Sequence, residues 1–159
     1  MRLASALNRN RLFINEKPKS YRIPGATAKT VKLKLHLSQN ARRNTVTAYG
    51  QGYVAVNGKR YESSLVVLPD RVISDWNVTS VENLSEGTVG ELAQLRPELV
   101  LLGTGDSLHF PDSKLLTVLL AAGIGTEVMD THAACRTYNI LAQEGRNVAA
   151  ALVIPPMGA

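Results

Sequence analysis

The chain has 159 residues, 45% hydrophobic and 19% charged, a composition that builds one ordinary globular domain with a core and excludes a disordered chain. Its single cysteine, Cys135, excludes a disulfide framework or a cysteine-based structural zinc site within one chain. The net charge of +5 averages two unlike parts: residues 1–60 hold 13 Lys/Arg and one acid, Glu16, whereas residues 61–159 hold 5 Lys/Arg and 12 acids.

Residues 1–30 carry Arg2, Arg9, Arg11, Lys17, Lys19, Arg22 and Lys29, with Pro18, Pro24 and Gly25 breaking any long helix. They read as a basic N-terminal extension, and residues 31–159 as a single globular domain. Three roles fit the extension: a solvated tail, a nucleic-acid arm or an organelle transit peptide. Met1 to Leu12 is Arg-rich and acid-free, as a transit peptide is. Phe13 and Tyr21 stand alone, without the aromatic residues that interleave with basic ones on a nucleic-acid surface. The most apolar stretch, Leu115 to Ile124, is too short for a bilayer of about 30 Å, and no secretory h-region precedes the domain. The expectation is therefore an intracellular protein with no membrane span. It is placed in the cytoplasm, or in the mitochondrial matrix if residues 1–30 are a transit peptide.

Val31 to Leu37 alternates apolar residues with Lys and His, the period of a half-buried strand. Residues 44–75 read as a β-meander, with strands at 45–49, 53–56, 59–61 and 65–68, and a further one from Val72 to Trp76. Asn57-Gly58 predicts a type I′ turn, because both central residues need positive φ. From Thr88 the pattern changes. Thr88 to Glu91 has capping-box spacing and opens a short helix that Pro97 ends. Leu99 to Leu102 is a buried strand, Pro111-Asp112 opens a helix that Gly123 closes, and Ile124 to Met129 is the next strand. Asp130 or Thr131 caps a third helix through Glu144, ended by Gly145, before a last strand at Val148 to Ile154. The fold class is thus α/β: an N-terminal β-meander packed with a C-terminal βαβαβ parallel unit in one domain.

Ligands of parallel α/β sheets collect outside the carboxyl ends of the strands. Two loops fall there, Gly103-Thr104-Gly105-Asp106 and Asp130-Thr131, followed by Cys135 and Arg136 in the next helix. These eight residues are the ligand-binding candidates, suited to an anion at a helix N-terminus. The plainer reading is a tight strand-exit turn, since Gly-Thr-Gly lacks both the third glycine of a dinucleotide fingerprint and the Lys-Ser/Thr of a P-loop. Cys135 beside Arg136 could be an activated thiolate with His132 as base, or a structural cysteine in the core. No catalytic residue is assigned, no cofactor is expected, and no His/Asp/Glu spacing resembles a metal site. Ala133, Thr137, Ile140 and Leu141 form a stripe expected to face the sheet. Cys135, Tyr138 and Asn139 then form a second, too apolar face that something must cover, either another helix of this chain or a partner subunit, and they are the interaction-face candidates.

Leu102-Gly103-Thr104-Gly105, Glu127 to Thr131, Ala134 to Asn139, Glu144-Gly145-Arg146 and Ala151-Leu152, with Tyr49-Gly50, Asn57-Gly58 and Trp76 before them, form an ordered set over residues 32–156. This set resembles the small-domain family that includes mitochondrial complex I assembly factor 3, the adipogenesis-associated Mth-domain protein and uncharacterised prokaryotic proteins. The resemblance implies a three-layer fold with helices on one side of the sheets, and a non-enzymatic, assembly-factor-like role. It transfers no catalytic residue. The mitochondrial branch tends to a small residue where Arg136 stands.

Overall fold

A computed structural model describes residues 43–158, all within one compact unit of the chain. The strand expected at 31–37 and the basic extension lie outside the described residues.

Three strands form a small antiparallel sheet: β1 (Val46–Gly50), β2 (Tyr53–Val56) and β3 (Lys59–Tyr61), in that order. Asn57 and Gly58 link β2 to β3 at φ 51° and 82°, the two positive angles that the type I′ turn demands. The meander does not continue as one sheet. Ser64 is buried and its hydroxyl accepts the Ile154 N–H at 2.9 Å, which turns the chain into a second sheet.

That sheet has five strands in the order β5-β4-β8-β6-β7: β4 (Leu65–Val67), β5 (Val72–Ile73), β6 (Leu99–Gly103), β7 (Gly125–Met129) and β8 (Val148–Leu152). β4 runs antiparallel to β8 and β5, while β8, β6 and β7 are mutually parallel. β5 is shorter than expected because Trp76 leaves the strand line to enter the core with Val66, Leu68 and Val78.

Three helices complete the domain. In α1 (Glu86–Gln94) the capping box is Ser85 with Thr88, one turn earlier than the Thr88–Glu91 spacing suggested. α2 (Ser113–Ala121) is capped by Asp112 and closed by Gly123 at φ 73°, and α3 (Thr131–Gln143) is capped by Asp130 and closed by Gly145 at φ 87°. The strand order dictates where these helices lie. The chain moves one way from β6 to β7 and back across β6 to reach β8, and right-handed crossovers in opposite directions put their helices on opposite faces. α1 and α2 therefore share one core with Val100, Leu102, Ala149 and Ala151, and α3 shares the other with Leu101, Ala150, Leu152 and the β1–β2 hairpin. The layers are three, as expected, but helices cover both faces of the larger sheet rather than one.

The orientation of α3 corrects the sequence reading. Thr131, Ala134, Cys135, Tyr138 and Ala142 face inward, and Ile140, expected against the sheet, is 58% exposed. Both stripes have helical spacing. The alanine-rich β8 and its neighbour β6 accept the stripe whose small residues, Ala134, Cys135 and Ala142, permit close approach, and Tyr138 fills the depth beyond them.

Candidate functional site

The carboxyl ends of β6 and β7 are where the crossovers diverge, so a crevice is expected between their exit loops. The loops do meet there, and they close on each other. The Gly105 N–H donates to Thr131 Oγ1 at 2.9 Å, the Thr131 N–H donates to the Gly105 carbonyl at 2.8 Å, and the Thr131 hydroxyl donates to the Val153 carbonyl at 2.9 Å. The Thr104 N–H donates to the Met129 carbonyl and the Val153 N–H to the Gly103 carbonyl, both at 2.9 Å. A Cβ on Gly103 would stand 2.9 Å from Thr131 Cα, so the glycine is required by close packing rather than by a ligand. An anion at the α3 N-terminus would find few free amides. Thr131 N–H is taken by Gly105, Ala133 N–H by the Asp130 carboxylate at 2.8 Å, and Ala134 N–H by the Asp130 carbonyl.

The eight ligand-binding candidates thus divide. Gly103, Thr104, Gly105 and Thr131 are brought together as a closed hydrogen-bonded junction, and Asp130 is the α3 cap. Asp106 is exposed and lines a cleft that Thr104 and Gly105 also border. Arg136 lies apart on the outer side of α3, its Nη1 3.3 Å from Tyr49 Oη and its guanidinium 5.9 Å from that ring, with His132 stacked at 5.1 Å on the same ring. The Tyr49 contact holds the Arg136 pKa above its usual value.

Cys135 is fully buried, and burial pushes its thiol up to about 12 against the opposing pull of Arg136. His132 is partly exposed and stacks outward on Tyr49. A thiol in this state is inert. Alkylation by iodoacetamide at pH 8 is expected to be at least about a hundredfold slower in the folded protein than in urea, because reaction waits on opening of the core. Equal rates would place the thiol in an accessible site. Burial also raises the Tyr138 pKa. Both groups hold their protons more tightly when folded: the Cys135 contribution is complete below 9.0 and declines as pH rises toward about 12, and the Tyr138 contribution is lost in the same direction at higher pH. Chemical denaturation from pH 8 upward should record that loss.

The face assigned to a partner is covered from within. Tyr138 is wholly buried and its hydroxyl donates to the Asn44 carbonyl at 3.1 Å. Asn139 clasps the edge of β1: its Oδ1 accepts the Val46 N–H at 2.9 Å and its Nδ2 donates to the Val46 carbonyl at 2.8 Å. Cys135, Tyr138 and Asn139 are therefore held against this chain's own hairpin. The excess apolarity noted in the sequence was real, and an intramolecular strand answers it.

Two openings lie at opposite ends of the parallel strands. A cleft of about 210 Å³ is lined by the junction residues Thr104, Gly105 and Val153 together with Ser80, Glu82, Asp106, Ser107 and His109. Hydrogen bonds from its own backbone amide and from Ser80 hold the Glu82 carboxyl below its usual range, with His109 adding a smaller pull. The His109 ring contacts the Ser107 carbonyl at 3.2 Å, and no cluster of three or more metal-ligating side chains occurs among the described residues. A wider cleft, about 430 Å³, opens at the amino-terminal ends of the parallel strands, and its charged lining is Arg43, Asp70, Arg71 and Arg146.

Closed strand-end loops, a mixed five-stranded sheet with helices on both faces and a hairpin sheet clasped to α3 define a three-layer α/β domain of the Mth938-like kind. Residues 46–153 match the family described as a protein of unknown function, DUF498/DUF598, and the chain belongs to that family. It is similar to NADH dehydrogenase (ubiquinone) 1 alpha subcomplex assembly factor 3 of Homo sapiens, at 36% identity over 115 residues covering 71% of this chain. The match spans 62% of the length of that relative. Among solved structures, a Bordetella parapertussis protein is 42% identical with a TM-score of 0.67, covering 70% of this chain and 96% of that one. A Bordetella pertussis protein described as a Mth938-like domain is 36% identical with a TM-score of 0.63, covering 71% of this chain and 87% of that one. No helix among the described residues is long and apolar enough to cross a membrane.

Proposed function

We infer that this chain is an assembly-factor-like interaction protein that supports the building of a respiratory NADH dehydrogenase and works by binding protein rather than by transforming a substrate. The observation that carries the reading is its 36% identity to a protein named for NADH dehydrogenase assembly. A second observation supports it. The residues that the sequence offered for chemistry, the Gly103–Thr131 junction and Cys135, are engaged in holding the fold. The charge of the described residues, eight Lys/Arg against twelve Asp/Glu, favours a protein partner over nucleic acid.

The protein works in the cytoplasm, or in the mitochondrial matrix if residues 1–30 are removed as a transit peptide. Mass spectrometry of the mature N-terminus separates these: a chain starting at residue 1 or 2 supports the first, and one starting near residue 30 the second. Affinity capture of the tagged full chain from its native cell tests the main reading. Enrichment of NADH dehydrogenase subunits over a tagged control of equal size is expected. Recovery without any such subunit, under crosslinking, would contradict it.

A further inference from the structure

The cleft of about 430 Å³ at the amino-terminal ends of β6 and β8 gathers three of the eight basic residues of the described, net acidic domain. They come from three separate places in the chain: Arg43 ahead of β1, Arg71 in the β4–β5 turn and Arg146 after α3. No local sequence pattern groups them, and only the topology brings them to one opening.

Two of the three guanidiniums, those of Arg71 and Arg146, are held lightly. Arg71 Nη1 lies 3.2 Å from Asp70 Oδ2 with half of the arginine side chain exposed, and Arg146 Nε lies 3.9 Å from Glu98 Oε1 with 43% exposed. Exposed pairs of this kind are weak, so an incoming carboxylate exchanges with them at little cost. Arg43 donates through Nη1 to the Ala142 carbonyl at 3.2 Å, which draws the cation to the negative end of α3 and fixes it at the rim. Between the charges, the partly exposed Pro69 and Leu95 supply an apolar wall, with Leu68 buried behind them.

We propose that this cleft binds an acidic peptide segment of a protein partner, with carboxylates paired to Arg71 and Arg146 and an apolar side chain laid against Pro69 and Leu95. The volume lies in the range of small-ligand sites, and the mixed lining suits a segment carrying both acidic and apolar side chains. Asp70 stands among the arginines and opposes a compact multivalent anion such as phosphate, whereas carboxylates spread along a peptide avoid it. Residues 1–42 hold ten Lys/Arg and one acid, the wrong sign for this occupant. The inference stands on the cleft alone and holds whether or not the partner belongs to a respiratory enzyme.

The test is fluorescence anisotropy of the full chain with a labelled hexapeptide of glutamate and leucine at near-physiological salt. Saturable binding is expected, weakened about tenfold or more by Arg71→Glu with Arg146→Glu. Lys59→Glu with Arg60→Glu, the same charge change on exposed β3, should alter it less than about twofold. If either pair lowers the melting temperature, Arg71→Gln with Arg146→Gln keeps most of each side chain and gives the same reading. Equal losses in both pairs would assign the binding to the general charge of the chain and overturn the site. So would absence of binding, or full displacement of the peptide by equimolar inorganic phosphate, which would identify a simple anion site.

Discussion

Thr131→Val is expected to lower the unfolding free energy by about 2–4 kcal/mol while leaving the side-chain shape unchanged. The hydroxyl is buried, accepts the Gly105 N–H and donates to the Val153 carbonyl, both at 2.9 Å. Valine fills the same volume and strands both backbone groups where water does not reach. Thr131→Ser keeps the two bonds and loses one methyl, a cost of about 1 kcal/mol. Gly103→Ala should cost about 1–3 kcal/mol by a different route, since its Cβ meets backbone rather than a movable side chain. Urea denaturation with an unchanged slope measures all three. A Thr131→Val variant as stable as the parent would mean that the strand-end loops open, and the closed junction would have to be abandoned.

Tyr138→Ala should be costlier still, about 3–5 kcal/mol, because this is the largest of the fully buried side chains and truncation leaves a cavity between α3 and the β1–β2 hairpin. Tyr138→Phe isolates the hydroxyl bond to Asn44 and should cost about 1 kcal/mol. The contrast decides what this helix face is for. A face built for a partner tolerates truncation in the free protein and loses affinity. A face built into the core loses stability at every concentration. Denaturation at two protein concentrations, with the same large loss at both, is the expected result.

The turns and caps were legible in the sequence because each is chemically local. Asn57-Gly58 can satisfy two positive φ angles, Asp112 and Asp130 can cap, and Gly123 and Gly145 can end helices, whatever the rest of the chain does. The rotation of α3 was not legible, since Ala133-Thr137-Ile140-Leu141 and Thr131-Ala134-Cys135-Tyr138-Ala142 both keep helical spacing. Only the alanines of β8 choose between them, and they lie outside the helix. The closure of the β6 and β7 exit loops left no local signal, because it depends on Thr131 reaching both Gly105 and Val153, contacts 26 and 22 residues apart. The arginine cleft left no sequence signal at all, because its three cations lie in loops that are neighbours only after β4 has paired with β8.

If the protein acts through binding, its conspicuous threonine, glycines and cysteine serve the fold alone. The most direct measurement is the amount of assembled NADH dehydrogenase, by native gel, in native cells that lack the gene. Assembled enzyme is expected to fall and partial assemblies to accumulate, and the full chain and its Cys135→Ala variant should restore assembly equally. Normal assembly without the gene would contradict it, and so would a folded Cys135→Ala variant that fails to rescue.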